Sequence, residues 1–512
     1  MSASRRTLPA RPSLEQQKKL AKELLAEFRR GDGAAVERVR AALPDKQRVG
    51  LMDAQFVLAR EYGFQNWAAL GAHIESVTVS ELSLADRFKR AVNSGDVEAL
   101  RRMKSARAEL QSMINEPIFA FNSPALVTTH DDPDVADALL DLGADPNRKS
   151  DWWAGGFHPL YGASPAVAER LIARGAVPDA CALAHLDRYA DLAAMLDADA
   201  SRVRERGGDG QTPLHFARSV RVADFLLERG ADIDARDLDH RSTAAEWMLG
   251  DFDKPGSRLT VARHLVERGA TCDIFLAAAT GHTARARSLL ETDPSLLDLR
   301  TGQGEYAEKA PSSYHIFLWT IGANLSPLQT ASKFGQQQTL NAMLAFASPA
   351  QRLLLACHAG DVSEARDIVR TNPGIVESLG EVDRRALTEE AWLSNPKAVE
   401  LMLELGFDPS AHGQSGPTAA SALHCAAWEG SAESVAAILR YPRGRALIEA
   451  KDPQFGGTPL GWCCHGSLNC HSPRANHADV ANLLIAAGAN AGGEHEASDA
   501  VLAVIDEAQQ VS

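Results

Sequence analysis

The 512-residue sequence predicts an all-α protein built as a linear array of helical hairpins. An apolar helix ending recurs along the chain, as in LLDLGADPN from Leu139, LLERGADID from Leu226 and LVERGATCD from Leu265. A capped helix start, such as TPLHFA from Thr212 and SALHCAAWEG from Ser421, also recurs. Such a unit cannot bury its apolar face alone, so neighbouring units are expected to stack into one continuous core.

The spacing of the helix endings indicates the family. The apolar residue close to the end of each second helix serves as an anchor, and the eleven anchors span 345 residues, a mean spacing of 34.5. The anchors are Leu140, Ile172, Leu196, Leu227, Val266, Leu290, Leu344, Val369, Leu403, Leu439 and Ile485. With helix starts that read T-P-L-H-x-A-A-x-x-G, the chain resembles the ankyrin-repeat family over roughly residues 84–495. The resemblance implies an ankyrin-repeat solenoid of about twelve helix-turn-helix units, several of them irregular.

The chain is expected to begin and end outside the regular array. We expect a flexible tail over 1–12, an N-terminal helical cap over 13–80, the solenoid over 81–495 and a C-terminal helical end over 496–512. The segment 13–75 has helical periodicity without the repeat phrases. This leader, with DWWAGGF and GTPLGW…HGS, resembles a group of bacterial multi-repeat ankyrin proteins, and that resemblance implies architecture only.

Simple local chemistry accounts for the helix boundaries. A Gly after an apolar helix ending can adopt the left-handed conformation that stops a helix. Asp-Pro or Asn-Pro, as in LLETDPSLLD from Leu289, ends a helix because Pro cannot continue it. Thr or Ser caps the next helix, with Pro in its first turn. The histidines of the capping phrase, His215 and His424, are expected to bond to backbone and to be structural.

Composition argues against several kinds of partner. The formal net charge is -14, and no Lys/Arg cluster suggests a nucleic-acid or membrane partner. No apolar run reaches the length of a membrane span, and the N-terminus does not read as a secretory signal. The seven cysteines are few and mostly scattered, which favours a reduced, cytoplasmic protein. No cofactor is expected.

The stretch GWCCHGSLNCHSPRANH, residues 461–477, resembles a metal site at first sight. In the repeat register, however, Cys463 and Cys464 occupy the two small alanine positions that face neighbouring helices. Adjacent residues rarely point at one metal ion, and only His471 and His477 fit half of a zinc spacing. We expect buried cysteines and an inserted helix–helix loop at about 468–477, with no metal.

Two irregular segments and one helix face carry the candidate binding residues. A finger, the loop that precedes a first helix, places Trp152, Trp153 and Phe157 near its tip. An insertion of roughly twenty residues at about 302–322 concentrates aromatic side chains. The positions after the alanine pair face the groove lined by the first helices. The candidates from the insertion and this face are Tyr306, Tyr314, His315, Trp319, Trp428, Glu429 and His465.

Two hypotheses follow for function. The first is a cytoplasmic ankyrin-repeat protein that binds a protein or peptide through its concave groove and fingers. The alternative is a small-ligand binder or enzyme with a site in the groove, closed by the aromatic insertion. In an enzyme, Asp239, His240 and His465 would be the acid–base candidates, but no catalytic motif is recognised. The insertion could equally pad the array, and the two Trp could fold back on it.

Overall fold

A computed structural model describes most of the chain. The described residues are 8, 14–44, 46, 49–71, 73–74, 83–103, 110–111, 113–129, 131–250, 252, 254, 256–412, 420–470, 472–493 and 495–510. The predicted tail at 1–12 therefore lies, apart from Leu8, outside the described residues, as does His471. Within the described part, no helix combines the length and apolar character that crossing a bilayer requires.

The chain divides into two compact units. Unit 1 comprises residues 1–152 and 156–178, and unit 2 comprises 153–155 and 179–512. The helices of unit 1 are α1 (Leu14–Arg29), α2 (Gly33–Ala42), α3 (Leu51–Glu61), α4 (Leu84–Ser94), α5 (Val97–Arg102), α6 (Pro133–Leu142) and α7 (Pro165–Ala173). Its N-terminal helices α1, α2 and α3 pack around a small core of their own that includes Leu24, Val39 and Leu58.

Unit 2 contains the larger part of the array. Its helices are α8 (Ala180–His185), α9 (Tyr189–Ala198), α10 (Pro213–Phe216), α11 (Val220–Glu228), α12 (Ala244–Trp247), α13 (Leu259–Glu267), α14 (Ile274–Thr280), α15 (Thr283–Thr292), α16 (Phe317–Thr320), α17 (Pro327–Lys333), α18 (Gln337–Leu344), α19 (Pro349–Ala359), α20 (Val362–Thr371), α21 (Glu381–Arg384), α22 (Ala386–Trp392), α23 (Pro396–Glu404), α24 (Ala422–Trp428), α25 (Ala432–Leu439), α26 (Pro442–Arg445), α27 (Pro459–Asn469), α28 (His477–Ala486) and α29 (Asp499–Gln509).

The predicted all-α class is confirmed. In the described ranges the only extended pairing consists of three isolated bridges, Phe119 with Ser123, Arg236 with Thr243 and Lys309 with Ser312. Short first and second helices alternate, and first helices pack on the first helices of neighbouring units, as α22 does on α24 and α24 on α27. This contact pattern is the stacking that the repeated phrases predict.

The predicted helix stops are present. Gly143 ends α6 at φ 107°, in the left-handed region that an L side chain rarely adopts, and its N–H bonds to carbonyls of the last turn. The glycines of the other helix-ending phrases also have positive φ; they are Gly175, Gly230, Gly269, Gly406 and Gly488. The repeated glycine is thus a backbone requirement of the unit.

Helix starts follow the predicted capping chemistry. Ser326 and Gln329 form a reciprocal capping box at α17, and Ser348 and Gln351 form another at α19. Three anchor intervals are only 24 or 25 residues long, Ile172 to Leu196, Val266 to Leu290 and Leu344 to Val369, and in these short units the first helix starts straight after the turn. Asp273, for example, caps α14 by accepting a hydrogen bond from the Leu276 amide at 2.7 Å. These units therefore have no finger of their own, as their short spacing predicts.

Unit 2 buries its apolar side chains in two large clusters. One extends from Ala180 to Leu355 and the other from Leu353 to Ile505. Small side chains dominate where first helices meet, as at Ala426 and Ala427 of α24, because close helix packing leaves little space. Larger, partly exposed side chains occur at the ends of first helices, as Trp392 does at the end of α22 and Trp428 at the end of α24.

Candidate functional site

The insertion (residues 302–322) lies along the finger formed by residues 236–243. The Ser312 hydroxyl donates to the Leu238 carbonyl at 3.0 Å, and the Ser313 amide donates to Asp239 at 2.9–3.0 Å. His240 Nδ1 donates to the Tyr314 carbonyl at 2.7 Å. Four contacts of this kind, ending with Ile316 on Ser242, share one sequence separation of 74 residues. The insertion segment 312–316 therefore runs in a constant register beside the finger.

The insertion occupies the position of a missing finger. The next unit along the chain starts at Asp273 without a finger, which leaves the finger 236–243 without its usual neighbour. The insertion takes that place, and its one-turn helix α16 packs on α12. Phe317 of α16 also contacts Phe275 of α14, with ring centroids 5.6 Å apart. The insertion thus takes the place of the finger that the short repeat starting at Asp273 lacks.

A polar pocket of about 300 Å³ opens beneath the insertion. Its wall includes Glu246 of α12, Asp273, and Tyr306 and His315 of the insertion. The Tyr306 hydroxyl donates to Asp273 Oδ2 at 2.9 Å, and His315 Nε2 lies 3.5 Å from Glu246 Oε2. The rest of the lining consists of three cationic side chains, Arg236, Arg241 and Lys309, together with Thr271 and a third acid, Glu305. We call this cavity the insertion pocket.

The environment of the insertion pocket shifts the pKa of its acids in opposite directions. Burial, reinforced by the charge of Glu246, raises the pKa of Asp273 to about 6. Burial also opposes ionisation of Glu246, but its bond to His315, the His315 charge and the Thr243 amide hold its pKa below the usual value. Burial and the neighbouring Asp273 raise the pKa of Tyr306, which stays a neutral donor. Near neutral pH, Glu246 is therefore the more strongly ionised acid.

A second cluster lies on the first helices α22, α24 and α27. Trp392 and Trp428 stack with ring centroids 6.2 Å apart and an interplanar angle of 17°. His465 extends the line, with its ring centroid 5.1 Å from that of Trp428. Trp392 and Trp428 are half-buried and His465 is exposed. We call these three residues the aromatic row.

Polar groups support the row from one side. The imidazole of His477 donates through Nε2 to the Trp428 carbonyl at 2.8 Å, which fixes the start of α28 against the end of α24. Burial raises the pKa of the neighbouring Glu429, whose carboxylate accepts a weak bond from the Cys470 thiol at 3.8 Å. One half-buried carboxylate therefore belongs to the residue that directly follows Trp428 of the row.

Comparison with known proteins identifies the repeat itself. Residues 209–238, which include the helix start at Thr212 and the ending at Gly230, match the family model described as "Ankyrin repeat". The chain therefore contains an ankyrin repeat at these residues. None of the curated proteins matches it.

Two solved ankyrin-repeat structures are similar to this protein at 18% identity. The human ASB11 ankyrin repeat domain covers 56% of this chain and is itself covered in full, with a TM-score of 0.24. The ankyrin repeat domain of Bcl-3, described as a unique member of the IkappaB protein family, covers 47% of this chain and 99% of its own length, with a TM-score of 0.27.

The capping histidines of this ankyrin-repeat protein are structural, as predicted. His215 Nδ1 lies 2.9 Å from the Thr212 hydroxyl, and its Nε2 donates to the Ser242 carbonyl in the next finger at 3.1 Å. Burial lowers the pKa of His215 to about 4, so the ring stays neutral. His424 repeats the arrangement with Ser421 and the Ala450 carbonyl. Both side chains connect neighbouring units.

The cysteines of the GWCCH segment are buried, as the repeat register predicts. Cys463 and Cys464 expose almost none of their surface, and burial raises the pKa of Cys464 to about 11. Among the described residues one other group, Asp179, Cys181 and Glu205, brings three potential ligand atoms close together. Its two carboxylates, however, accept backbone N–H groups, Asp179 from Ala182 and Glu205 from Ala180.

The finger tryptophans differ in environment. Trp152 packs edge-on against Phe121, with ring centroids 5.3 Å apart, and Phe157 contacts the same Phe121 ring at 5.6 Å. Trp153 is 47% exposed. In the insertion, Tyr306 and His315 are buried, Tyr314 is half-buried and Trp319 is 67% exposed. The sequence candidates thus separate into supporting and accessible aromatics.

The structure brings together only part of the predicted acid–base set. Asp239 and His240 both contact the insertion, where Asp239 Oδ1 accepts the Ser313 hydroxyl at 2.8 Å. His465 belongs to the aromatic row on a different set of units. Sequence reasoning missed Trp392, although it precedes its anchor Leu403 by the same eleven positions that separate Trp428 from Leu439. The acids of the insertion pocket, Glu246 and Asp273, occupy capping positions and gave no separate signal.

Proposed function

We propose that this ankyrin-repeat protein binds a peptide segment of a partner protein across the aromatic row. Ankyrin repeats are generally protein–protein interaction modules, and the curvature of repeat arrays creates extended concave binding surfaces. The observation that carries the proposal is the alignment of Trp392, Trp428 and His465 at one position of three successive first helices, with their rings in contact and partly exposed.

The row has the physical character of an energetic anchor. Aromatic side chains carry a large apolar area with few rotatable bonds, and Trp is enriched among the residues that dominate binding energy. The small side chains beneath, Ala426, Ala427 and Cys464, are buried and hold the helices close together. The rings therefore start from a rigid support, which lowers the ordering cost of binding.

Charge favours a basic partner segment. The protein has a formal net charge of -14, and Glu429 lies beside the row. A Lys or Arg side chain can pair with a carboxylate and lie over a Trp face. We infer a segment that carries Lys or Arg next to an apolar residue, with the apolar side chain on Trp392 and Trp428 and the cation near Glu429.

Other candidate surfaces fit this role less well. Trp152 and Phe157 are engaged with Phe121, and Tyr306 and His315 line the insertion pocket below the surface. Trp153 and Trp319 are accessible, but they lie on a finger and in the insertion rather than along successive first helices. These two serve as the natural comparison residues for the test.

A peptide-library selection tests the proposal. Peptides enriched on the purified full-length protein are titrated against wild type and a Trp392→Ala/Trp428→Ala variant. Because hot-spot truncations cost about 2–4 kcal/mol each, we expect affinity to fall at least about 30-fold. Enriched peptides should share a basic residue, and Glu429→Gln should weaken them by about five- to tenfold.

The matched control is Trp153→Ala/Trp319→Ala, which removes the same amount of aromatic surface from other exposed positions. Its affinity for the selected peptides should stay within about twofold of wild type. Equal binding by wild type and the row variant, or loss on the control variant alone, would reject the aromatic row as the recognition surface.

We also infer that the protein functions in the cytoplasm. The support is the state of its cysteines: all seven are free, and six are buried as small apolar side chains. Such thiols persist in a reducing compartment. Fractionation of host cells, followed by detection of the protein in a secreted or periplasmic fraction, would contradict this inference.

A further inference from the structure

The insertion pocket is lined by six acidic or basic side chains that peptide binding on the aromatic row does not use: Arg236, Arg241, Glu246, Asp273, Glu305 and Lys309. It lies entirely within unit 2 and is formed by a finger, two helix starts and the insertion. At about 300 Å³ its volume is at the lower end of the range for small-molecule sites. Because a loop insertion completes it, a regular ankyrin array has no equivalent.

One acid of the pocket, Glu305, is exposed, whereas the other two, Glu246 and Asp273, are hydrogen-bonded within the protein. Glu246 accepts the Thr243 amide at 2.6 Å and faces His315 at 3.5 Å. Asp273 accepts the Leu276 amide at 2.7 Å and the Tyr306 hydroxyl at 2.9 Å. Each carboxylate therefore already has two partners, and neither offers an open site for a cation.

The cations of the pocket are in a different situation. Arg236 donates to the Arg241 carbonyl at 2.5 Å, and Arg241 donates to the Ala307 carbonyl at 2.9 Å. These bonds use one guanidinium nitrogen of each side chain and neutralise no charge. Over the described ranges, neither arginine nor Lys309 forms an ion pair with a carboxylate, although the protein as a whole is acidic. Three positive charges thus line one small cavity without forming ion pairs with the three carboxylates that also line it, Glu246, Asp273 and Glu305, although the charge of Arg236 helps to lower the pKa of Glu246.

We propose that the insertion pocket binds a small organic anion, whose carboxylate or phosphate group pairs with Arg236, Arg241 and Lys309. Guanidinium groups match both oxyanions in a bidentate geometry, and Lys adds a point charge. The polar body of the ligand lies against Tyr306 and His315, whose ring edges and polar atoms provide further contacts. This binding is independent of peptide recognition on the aromatic row.

The location suggests a role for such a ligand. Arg241 belongs to the finger 236–243, and its guanidinium donates to the Ala307 carbonyl of the insertion. An anion that also engages Lys309 therefore connects the finger and the insertion. Ligand binding should stabilise the docked insertion, because anything that binds only the folded state raises stability by mass action.

Calorimetric titration of the full-length protein at low salt tests the proposal with three probes: inorganic phosphate, glucose 6-phosphate and succinate. We expect saturable binding of the two phosphate compounds, of succinate, or of all three probes. Comparison of the three titrations shows whether the pocket prefers a phosphate or a carboxylate group. Affinity should fall about tenfold or more in Arg236→Gln/Lys309→Gln, and it should weaken as NaCl is added. Tyr306→Phe should weaken glucose 6-phosphate more than inorganic phosphate.

The control variant Arg443→Gln/Lys451→Gln removes the same charge from exposed positions outside the pocket. It should bind each probe within about twofold of wild type. No saturable binding of any probe at millimolar concentration overturns the proposal, and so does an equal loss in the pocket and control variants. Lys309→Gln alone decides the outcome if the double variant does not fold, because the Lys309 ammonium is exposed.

Discussion

Asp239 accepts two hydrogen bonds through Oδ1 from one residue of the insertion, the Ser313 amide at 3.0 Å and the Ser313 hydroxyl at 2.8 Å. Asp239 is almost fully buried, although it lies in a finger. The pair is the centre of the register that places 312–316 beside the finger 236–243. An aspartate that the sequence offers as an acid–base candidate is therefore a docking residue for the insertion.

Replacing Asp239 by Ala should destabilise the protein by about 1–2 kcal/mol, because it removes both side-chain bonds and leaves the Ser313 hydroxyl without this acceptor, while the Ser313 amide keeps its bond to the residue 239 carbonyl. Urea unfolding followed by circular dichroism measures the change. Glu308→Ala, an exposed residue of the same insertion, is the control and should stay within about 0.5 kcal/mol of wild type. Equal stability of the two variants would mean that the Ser313 contact does not hold the insertion.

His215 should make the protein sensitive to acid. Its folded-state pKa of about 4 lies below the unfolded value, so the unfolded chain binds a proton that the folded chain excludes. Stability contributed by the neutral ring is complete above about pH 6.5 and is lost as pH falls towards 4, by on the order of 3 kcal/mol. Denaturant unfolding at several pH values measures this slope.

His215→Gln is the informative variant, since Gln329 occupies the same capping position at Ser326 and is accepted by the array. The variant should lose stability less steeply than wild type between pH 6.5 and 4, whatever its stability at neutral pH. An unchanged slope would contradict the assignment of this acid sensitivity to His215.

Gly155 allows a close backbone approach. A β-carbon at this position would lie 2.2 Å from the Gly207 carbonyl oxygen and 2.8 Å from the Gly210 nitrogen, and the residue has φ 146°. Gly155→Ala should therefore lower stability by about 2–4 kcal/mol, from strain and clash together. Gly175→Ala, where φ is 100° but nothing lies within 4 Å, should cost only about 1 kcal/mol. Thermal unfolding that ranks the two variants equally would refute the close approach.

The sequence was sufficient to predict the repeating parts of the fold because they follow local chemistry. Left-handed glycine stops, Ser/Thr caps and the buried cysteines at alanine positions each depend on a few adjacent residues. The eleven-residue offset from the anchor also relates Trp428 to Trp392, so the aromatic row could have been found from the repeat register. Trp428 and His465 were predicted from the capping phrases of their units, whereas Trp392 follows RALTEEA, which lacks such a phrase, and was missed.

The insertion pocket could not be predicted in the same way. The insertion that closes the pocket bonds through Tyr306 to Asp273 and through Ser313 to Asp239, and these pairs are 33 and 74 residues apart. Residues at that separation meet only after the units have stacked and the missing finger has left a space. The aromatic content of 302–322 indicated an unusual segment, but not that half of its aromatics would face inward.

Fluorine NMR of the full-length protein labelled with 5-fluorotryptophan tests the central claim most directly. The eight tryptophans give eight resonances, which single Trp→Phe variants assign. On titration with a library-selected peptide, we predict shifts of the Trp392 and Trp428 resonances, while those of Trp153 and Trp319 stay in place. Shifts of Trp153 or Trp319 with unchanged Trp392 and Trp428 would contradict recognition on the aromatic row.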